Sequence, residues 1–204
     1  MLWRKMEIRS KLSRTSAARL LLLGFVFLAP VVLMRSKSVT FDEVTHLPSG
    51  YSYLIQHAVQ YNQQHPPFIK EICALPLLLI GVRTPGNFPD SEWNFGEEFL
   101  FSQDADKILF WGRLPAVLMS VGLGLLIMRW ATDLWGKSAG LFALFLYAFD
   151  PTITAHSQLV TTDIGVACFS TLYLYLLRGY LSDPGWKRLC LAGLGLGMAL
   201  GAKF

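Results

Sequence analysis

Charged side chains are scarce in this chain: Asp, Glu, Lys and Arg make up 16% of its 204 residues, against 53% hydrophobic. A soluble domain carries closer to a quarter charged residues, so a soluble enzyme is not expected, and the same composition excludes intrinsic disorder, collagen and coiled coil. Cysteine is sparse too. Cys73, Cys168 and Cys190 lie far apart with no CxxC or Cys/His spacing, so neither a disulfide framework nor a zinc site is readable. Each sits in or beside an apolar block and reads as a small membrane-buried hydrophobe. No Gly-rich phosphate loop leads into a soluble helix, and there is no internal repeat or low-complexity tract. The net charge of +4 is too modest for a nucleic-acid footprint. Six of the 18 basic residues (Arg4, Lys5, Arg9, Lys11, Arg14, Arg19) crowd the first 19 positions and act instead as a membrane-orientation signal.

What is present is a set of apolar blocks separated by charges, the mark of several membrane spans. Residues 1–16 form a basic cytoplasmic N-terminus. Leu20 to Met34 resembles the core of a signal peptide, but Arg35, Ser36 and Lys37 follow it where a small-x-small cleavage site would be. With Ala17, Ala18 and a snorkelling Arg19 it reaches about the 17 residues a crossing needs, so residues 17–34 read as an uncleaved first span. Four further spans are expected within residues 113–204: Arg113 to Trp130, Lys137 to Asp150, Asp163 to Leu177, and Arg188 to the end. The run Ile72 to Val82 has 11 uncharged residues and contains Pro76, too short to cross and suited to a re-entrant or interfacial helix.

Charge tests this assignment independently. Between Arg35 and Gly112 there are nine acids (Asp42, Glu43, Glu71, Asp90, Glu92, Glu97, Glu98, Asp104, Asp106) against five bases, whereas Arg129, Lys137, Arg178, Lys187 and Arg188 flank the loops placed inside. The positive-inside rule holds along the whole chain if Ile72 to Val82 does not cross. Residues 35–112 then form one long external loop and residues 150–163 a short one, and all four histidines (His46, His57, His65, His156) fall in these two segments. The Gly-rich block Leu191 to Ala202 is spaced for close helix packing. The chain stops at Phe204 inside a hydrophobic run, which reads as an N-terminal piece of a longer protein.

Three stretches can carry chemistry. Thr40-Phe41-Asp42-Glu43 fits a capping box with acids in a first helical turn. Apolar residues then recur at Val44, Leu47, Tyr51, Leu54, Ile55 and Ala58 with the period of a helix lying along a membrane surface, Pro48 marking a kink or the true start. His65-Pro66-Pro67 is either a rigid bend between interfacial helices or a device holding His65 and Lys70 at headgroup level, where a lipid phosphate sits. Asp150 to Asp163 carries acids at the ends of apolar segments, which are functional candidates by default. Asp163 also reads as a simple helix N-terminal residue and His156 as an ordinary interfacial histidine. The topology puts Asp42, Glu43, His65, Lys70, His156 and Asp163 on one face of the membrane. A carboxylate there can take the proton of an acceptor hydroxyl while cations or a metal stabilise a departing phosphate.

In order and spacing, Phe41-Asp42-Glu43, His65-Pro66-Pro67-Phe68-Ile69-Lys70, Arg113-Leu114-Pro115, Phe149-Asp150-Pro151 to Ala155-His156-Ser157, Thr161-Thr162-Asp163 and Gly201 to Phe204 resemble the phospholipid-carrier-dependent glycosyltransferases of the protein mannosyltransferase and aminoarabinose transferase superfamily. The resemblance covers residues 17–204. It implies an all-α polytopic membrane protein with a GT-C type transmembrane helix bundle and an external first loop carrying interfacial helices. It implies Asp42 as catalytic acid with Glu43 as its neighbour, Asp163 as a second acid on the same cavity, and substrate contacts from His65, Lys70 and His156. The HPPxxK pattern resembles the mannosyltransferase branch and implies a neutral hexose donor.

The expected activity is an inverting transfer of a sugar from a polyprenyl or dolichyl phosphate to a protein, lipid or glycan acceptor outside, with membrane lipid as the other partner and no nucleic acid. No cofactor is implied with certainty, a divalent metal (Mg or Mn) at Asp163 being left open. The compact loops favour a bacterial plasma membrane over the endoplasmic reticulum. The competing readings are a transporter or flippase-like protein using intramembrane acids for ion or proton coupling, and an assembly subunit packed through the Gly-rich block.

Overall fold

The computed structural model describes residues 2–85 and 91–203, with side chains from Thr15 onward. The side chains of Arg4, Lys5, Arg9, Lys11 and Arg14, and all of Asp90, therefore lie outside the described residues. Every regular element among those described is helical: α1 (Leu2–Leu33), α2 (Phe41–Gln56), α3 (Phe68–Ala74), α4 (Glu92–Phe101), α5 (Ala105–Trp135), α6 (Lys137–Ala148), α7 (Pro151–Ser157), α8 (Asp163–Ser182) and α9 (Trp186–Lys203), with short 3-10 turns at Met34–Ser36 and Leu75–Leu79.

Three stretches are long and apolar enough to cross a membrane: Thr15–Ser36, Ala105–Trp135 and Asp163–Ser182. The α6–α7 pair, bent by 66°, supplies a fourth if it is one broken span. The protein is thus an integral, multi-pass, all-α membrane protein. The bend falls where Asp150 leaves the helix and caps the next one, its Oδ1 accepting from the N–H groups of Thr152 at 2.8 Å and Ile153 at 3.0 Å, with Pro151 in the first-turn position that needs no donor. The expected fifth crossing, α9, does not reach the same standard among the described residues, because Lys187, Arg188 and Lys203 all lie inside it.

The second span also begins earlier than its charges suggest. Asp104 accepts from the Lys107 N–H at 3.0 Å and starts α5 at Ala105, so the helix runs through Arg113 without a break. A charge inside an apolar helix normally marks its end; here the charge is neutralised by a partner from another segment.

The stretch from α2 to α4 is a packed layer rather than a set of helices spread on lipid. Helix α2 sits between α3 and α4, and Leu47, Ile69, Cys73, Leu77, Phe95, Phe99 and Leu100 share one core with Ile108 and Leu109 of α5. Full burial of side chains such as Leu47 and Phe99 contributes roughly 1.5–3 kcal/mol each. Of the apolar positions expected to touch lipid, Leu47 is fully buried, Leu54 packs against this core and Ile55 is exposed. Helix α2 also runs on through Pro48, which neither starts nor ends it. Proline has no N–H to give the Val44 carbonyl, and Gly96 of α4 approaches that carbonyl so closely that a Cβ would lie within 1.9 Å of it. The expected interfacial run after α3 turns into the 3-10 segment Leu75–Leu79, which leaves Leu75, Leu78 and Leu79 exposed, Leu79 by 88%. In the Gly-rich block, Gly195 packs against Tyr173 of α8, whereas Gly193 and Gly197 face open space. Cys73 is buried within the protein, whereas Cys190 lies on the surface of α9.

Candidate active site at the helix ends

Thr40 and Glu43 form the expected capping box at the start of α2: the Glu43 Oε2 accepts from the Thr40 N–H at 3.0 Å and from its hydroxyl at 2.9 Å. The box does more than cap. Glu43 is fully buried and ion-paired with Arg113 of α5, which is 1% exposed: Arg113 Nε donates to Oε1 and Nη2 to Oε2, both at 2.7 Å. Arg113 spends its remaining donors on the carbonyls of Met34, Lys37 and Ser38 at 2.9–3.0 Å. All five guanidinium N–H groups are therefore used.

The Val160 N–H donates to Oε1 of Glu43 at 3.0 Å. One buried pair thus ties the exit of α1, the start of α2, the body of α5 and the loop before α8. Burial pushes the Glu43 carboxyl upward, but the Arg113 hydrogen bonds and charge, with the Val160 and Thr40 N–H groups, hold it below its ordinary value. With every acceptor position engaged, Glu43 is a structural clamp, and the geometry corrects its expected place among the catalytic side chains.

The clamp fixes its neighbours. Asp42, one residue earlier, is exposed at the first turn of α2. His46, one helical turn on, shares its face. His46 is buried, and its Nδ1 donates to the Val160 carbonyl at 3.3 Å, an assignment that follows because a carbonyl can only accept. Burial, then the Lys70 charge, pushes its imidazole below the usual value against the pull of Val160 and Asp42. It is therefore neutral at pH 7, with Nε2 as an acceptor. The ring of His65 meets it edge-on at 5.8 Å, and the His65 Nδ1 is buried with no hydrogen-bond partner.

Lys70 turns the other way. It is 1% exposed, and its ammonium donates to the Asn62 carbonyl at 2.5 Å, to Asn62 Oδ1 at 2.9 Å and to the Tyr53 hydroxyl at 3.5 Å. Burial, only partly offset by the charge of Glu92, pushes it down to about 8. All three ammonium protons are committed inside the protein, which corrects the expectation that Lys70 reaches a lipid phosphate from the HPPxxK stretch.

After the loop that follows α7, Asp163 opens α8 as expected. Its Oδ1 pairs with Lys203 of α9 at 2.7 Å, and Oδ2 lies 3.4 Å from Nδ1 of His156. All three side chains are partly exposed, so this group is open to a ligand in a way that Glu43 and Arg113 are not. No group of three or more His, Cys, Asp or Glu side chains among the described residues is placed to hold a metal ion.

The structure therefore brings Asp42, His46 and His65 together around the start of α2, and His156, Asp163 and Lys203 of α9 together at the start of α8, with Val160 of the intervening loop bonded to Glu43 and His46. Sequence reasoning missed Arg113, His46 and Lys203 as site residues. An Arg ahead of an apolar run and a His four residues after the candidate acid were the available signals for the first two. Compared with known proteins, residues 17–204 match the model of a family described as dolichyl-phosphate-mannose-protein mannosyltransferase. No curated protein and no solved structure matches the chain.

Proposed function

Because the chain belongs to the dolichyl-phosphate-mannose-protein mannosyltransferase family, we propose that it moves a hexose from a polyprenyl or dolichyl phosphate to a hydroxyl of a protein acceptor on the outer face of the membrane. The observation that carries this reading is the clamp of Glu43, Arg113 and Val160. It holds two loops 117 residues apart in one place and leaves Asp42 exposed beside it.

Asp42 is the general base. As the acceptor oxygen attacks the sugar C1, the carboxylate takes its proton, the bond from C1 to the phosphate oxygen breaks, and the carrier phosphate leaves with the electron pair. A single displacement of this kind inverts the anomeric centre. Half-buried His65, backed by the buried ring of His46 one turn from Asp42, orients the sugar ring. Lys203 serves the departing phosphate: its pair with Asp163 is partly exposed, so an incoming dianion can share it, and charge-assisted bonds of this kind are among the stronger ones. Asp163 and His156 position that cation.

A carrier with a radiolabelled sugar, added to the protein in lipid vesicles with a Ser/Thr peptide outside, tests this directly. Free lipid phosphate should appear in step with labelled peptide. A protein that moved the carrier or coupled ions would release no lipid phosphate, and that outcome would refute the transferase reading.

A further inference from the structure

Beside Asp42 the external layer carries a polar cleft of about 360 Å³ that the proposed chemistry does not use. It runs along the loop from Gln60 to Gln64 and is closed on the other side by Ser91, Glu92 and Trp93 at the start of α4. Its volume is at the lower end of the range for ligand pockets, roughly 300–1,000 Å³, which suits a short extended segment rather than a folded surface.

The cleft is built rather than incidental. Lys70 holds its floor by bonding both the carbonyl and the side chain of Asn62, and the Asn62 N–H in turn donates to Glu92 Oε2 at 2.7 Å, joining the two walls. Asn62 itself is held at φ 47°, a left-handed conformation that asparagine tolerates better than most residues. That explains where the Lys70 ammonium is spent: a buried cation braces a polar loop that would otherwise collapse or wander.

We infer that this cleft seats the acceptor polypeptide, an extended, neutral or basic segment whose hydroxyl residue is passed to Asp42. The inference rests on the transferase reading above and names where its second substrate is held. Its chemistry follows from the lining. The exposed side-chain amides of Gln60 and Gln64 each offer a donor and an acceptor, the pairing a peptide group needs at both N–H and C=O. Trp93 supplies the apolar contact, and its ring lies 4.2 Å from that of Phe41, the residue next to Asp42, so one wall of the cleft touches the start of α2 that carries the candidate base. The exposed charge around the cleft is acidic, the Lys70 ammonium being buried beneath Asn62. Glu92 lines the cleft, Glu97 and Glu98 are exposed on the same helix and Asp42 stands beyond the aromatic pair, while no base is among the lining residues. An acidic segment is repelled and a neutral or basic one is admitted.

The test uses the full protein in lipid nanodiscs with a saturating sugar-loaded carrier and two synthetic peptides of equal length, one carrying Ser, Thr and Lys and the other Ser, Thr and Glu. The basic peptide should be the better substrate. Gln60→Ala with Gln64→Ala, both at exposed positions, and separately Trp93→Ala, should raise its KM about tenfold with kcat and the carrier KM nearly unchanged, the pattern of lost acceptor binding. Peptide anisotropy in the absence of carrier should weaken in parallel. Unchanged peptide KM and binding in both variants would overturn the assignment, as would displacement of the peptide by the acidic peptide or by a free oligosaccharide at equal concentration. If the peptide bound the cleft as described and no sugar left the carrier, the transferase reading would fail and the cleft would stand. Transfer that ignored the cleft variants would have the reverse meaning.

Discussion

Removing Arg113 alone should be among the most damaging single changes in the chain. In Arg113→Met the apolar stem is kept while five hydrogen bonds vanish. Glu43, with no exposed surface, then stays charged without its partner, holding only the Thr40 and Val160 contacts. Breaking a buried pair from one side costs about 3–5 kcal/mol, most of it the uncompensated charge. Replacing both partners, as in Arg113→Met with Glu43→Gln, should return a large part of that loss, because no lone charge remains.

Acid should weaken the wild type in the same way. The Glu43 carboxyl is held below its ordinary value in the folded state, so its stabilising contribution is complete above the unfolded-state pKa of about 4.3. It is lost as the pH falls through the lower folded value. Thermal unfolding of the detergent-solubilised protein, followed by tryptophan fluorescence at pH 7 and at stepped acidic pH, reads both effects. A single variant less than about 1 kcal/mol below wild type, or a double variant no better than Arg113→Met, would refute the idea of a buried clamp, since exposed pairs are typically worth that little.

Three further outcomes are expected. Lys203→Met should weaken carrier binding about tenfold or more, measured by competition with unlabelled carrier, whereas Lys70→Met should leave carrier binding close to wild type and lower the unfolding temperature instead. Lys70 also predicts a pH effect: its folded value of about 8 lies below the unfolded value of about 10.4, so its contribution to stability rises as the pH increases between the two, and Lys70→Met should remove that rise from a plot of unfolding midpoint against pH. Single cysteines at Asn94 and Ala155, both exposed, in a cysteine-free background should both react with an impermeant reagent from outside; labelling of one alone would separate the loops that the site requires to share a face.

The apolar helices that can cross a membrane were legible because length and hydropathy act locally. Partnerships between distant residues were not. Asp42 and Glu43 are adjacent acids that pattern alone does not distinguish, and only the phase of α2 against α5 decides that Glu43 enters the protein to meet Arg113, 70 residues away, while Asp42 does not. The same cause hid the true start of α5: Arg113 looked like a boundary because its neutralising partner lay in another segment. Lys70 was misread because a cation beside a His-Pro-Pro bend looks exposed until the loop at Asn62 folds over it. The period of Val44, Leu47, Tyr51 and Leu54 correctly announced a helix with an apolar face, but periodicity does not reveal whether that face meets lipid or another helix. Here α3 and α4 supplied the cover.

The central claim is that Asp42, set in place by the clamp, takes the acceptor proton, and the most direct measurement is the rate of single-turnover sugar transfer in Asp42→Asn beside wild type. The substitution keeps shape and position but removes the basic carboxylate. Transfer should fall by about 100-fold or more with carrier affinity little changed. Near-normal transfer would contradict the assignment and move the base to another residue of the shared face.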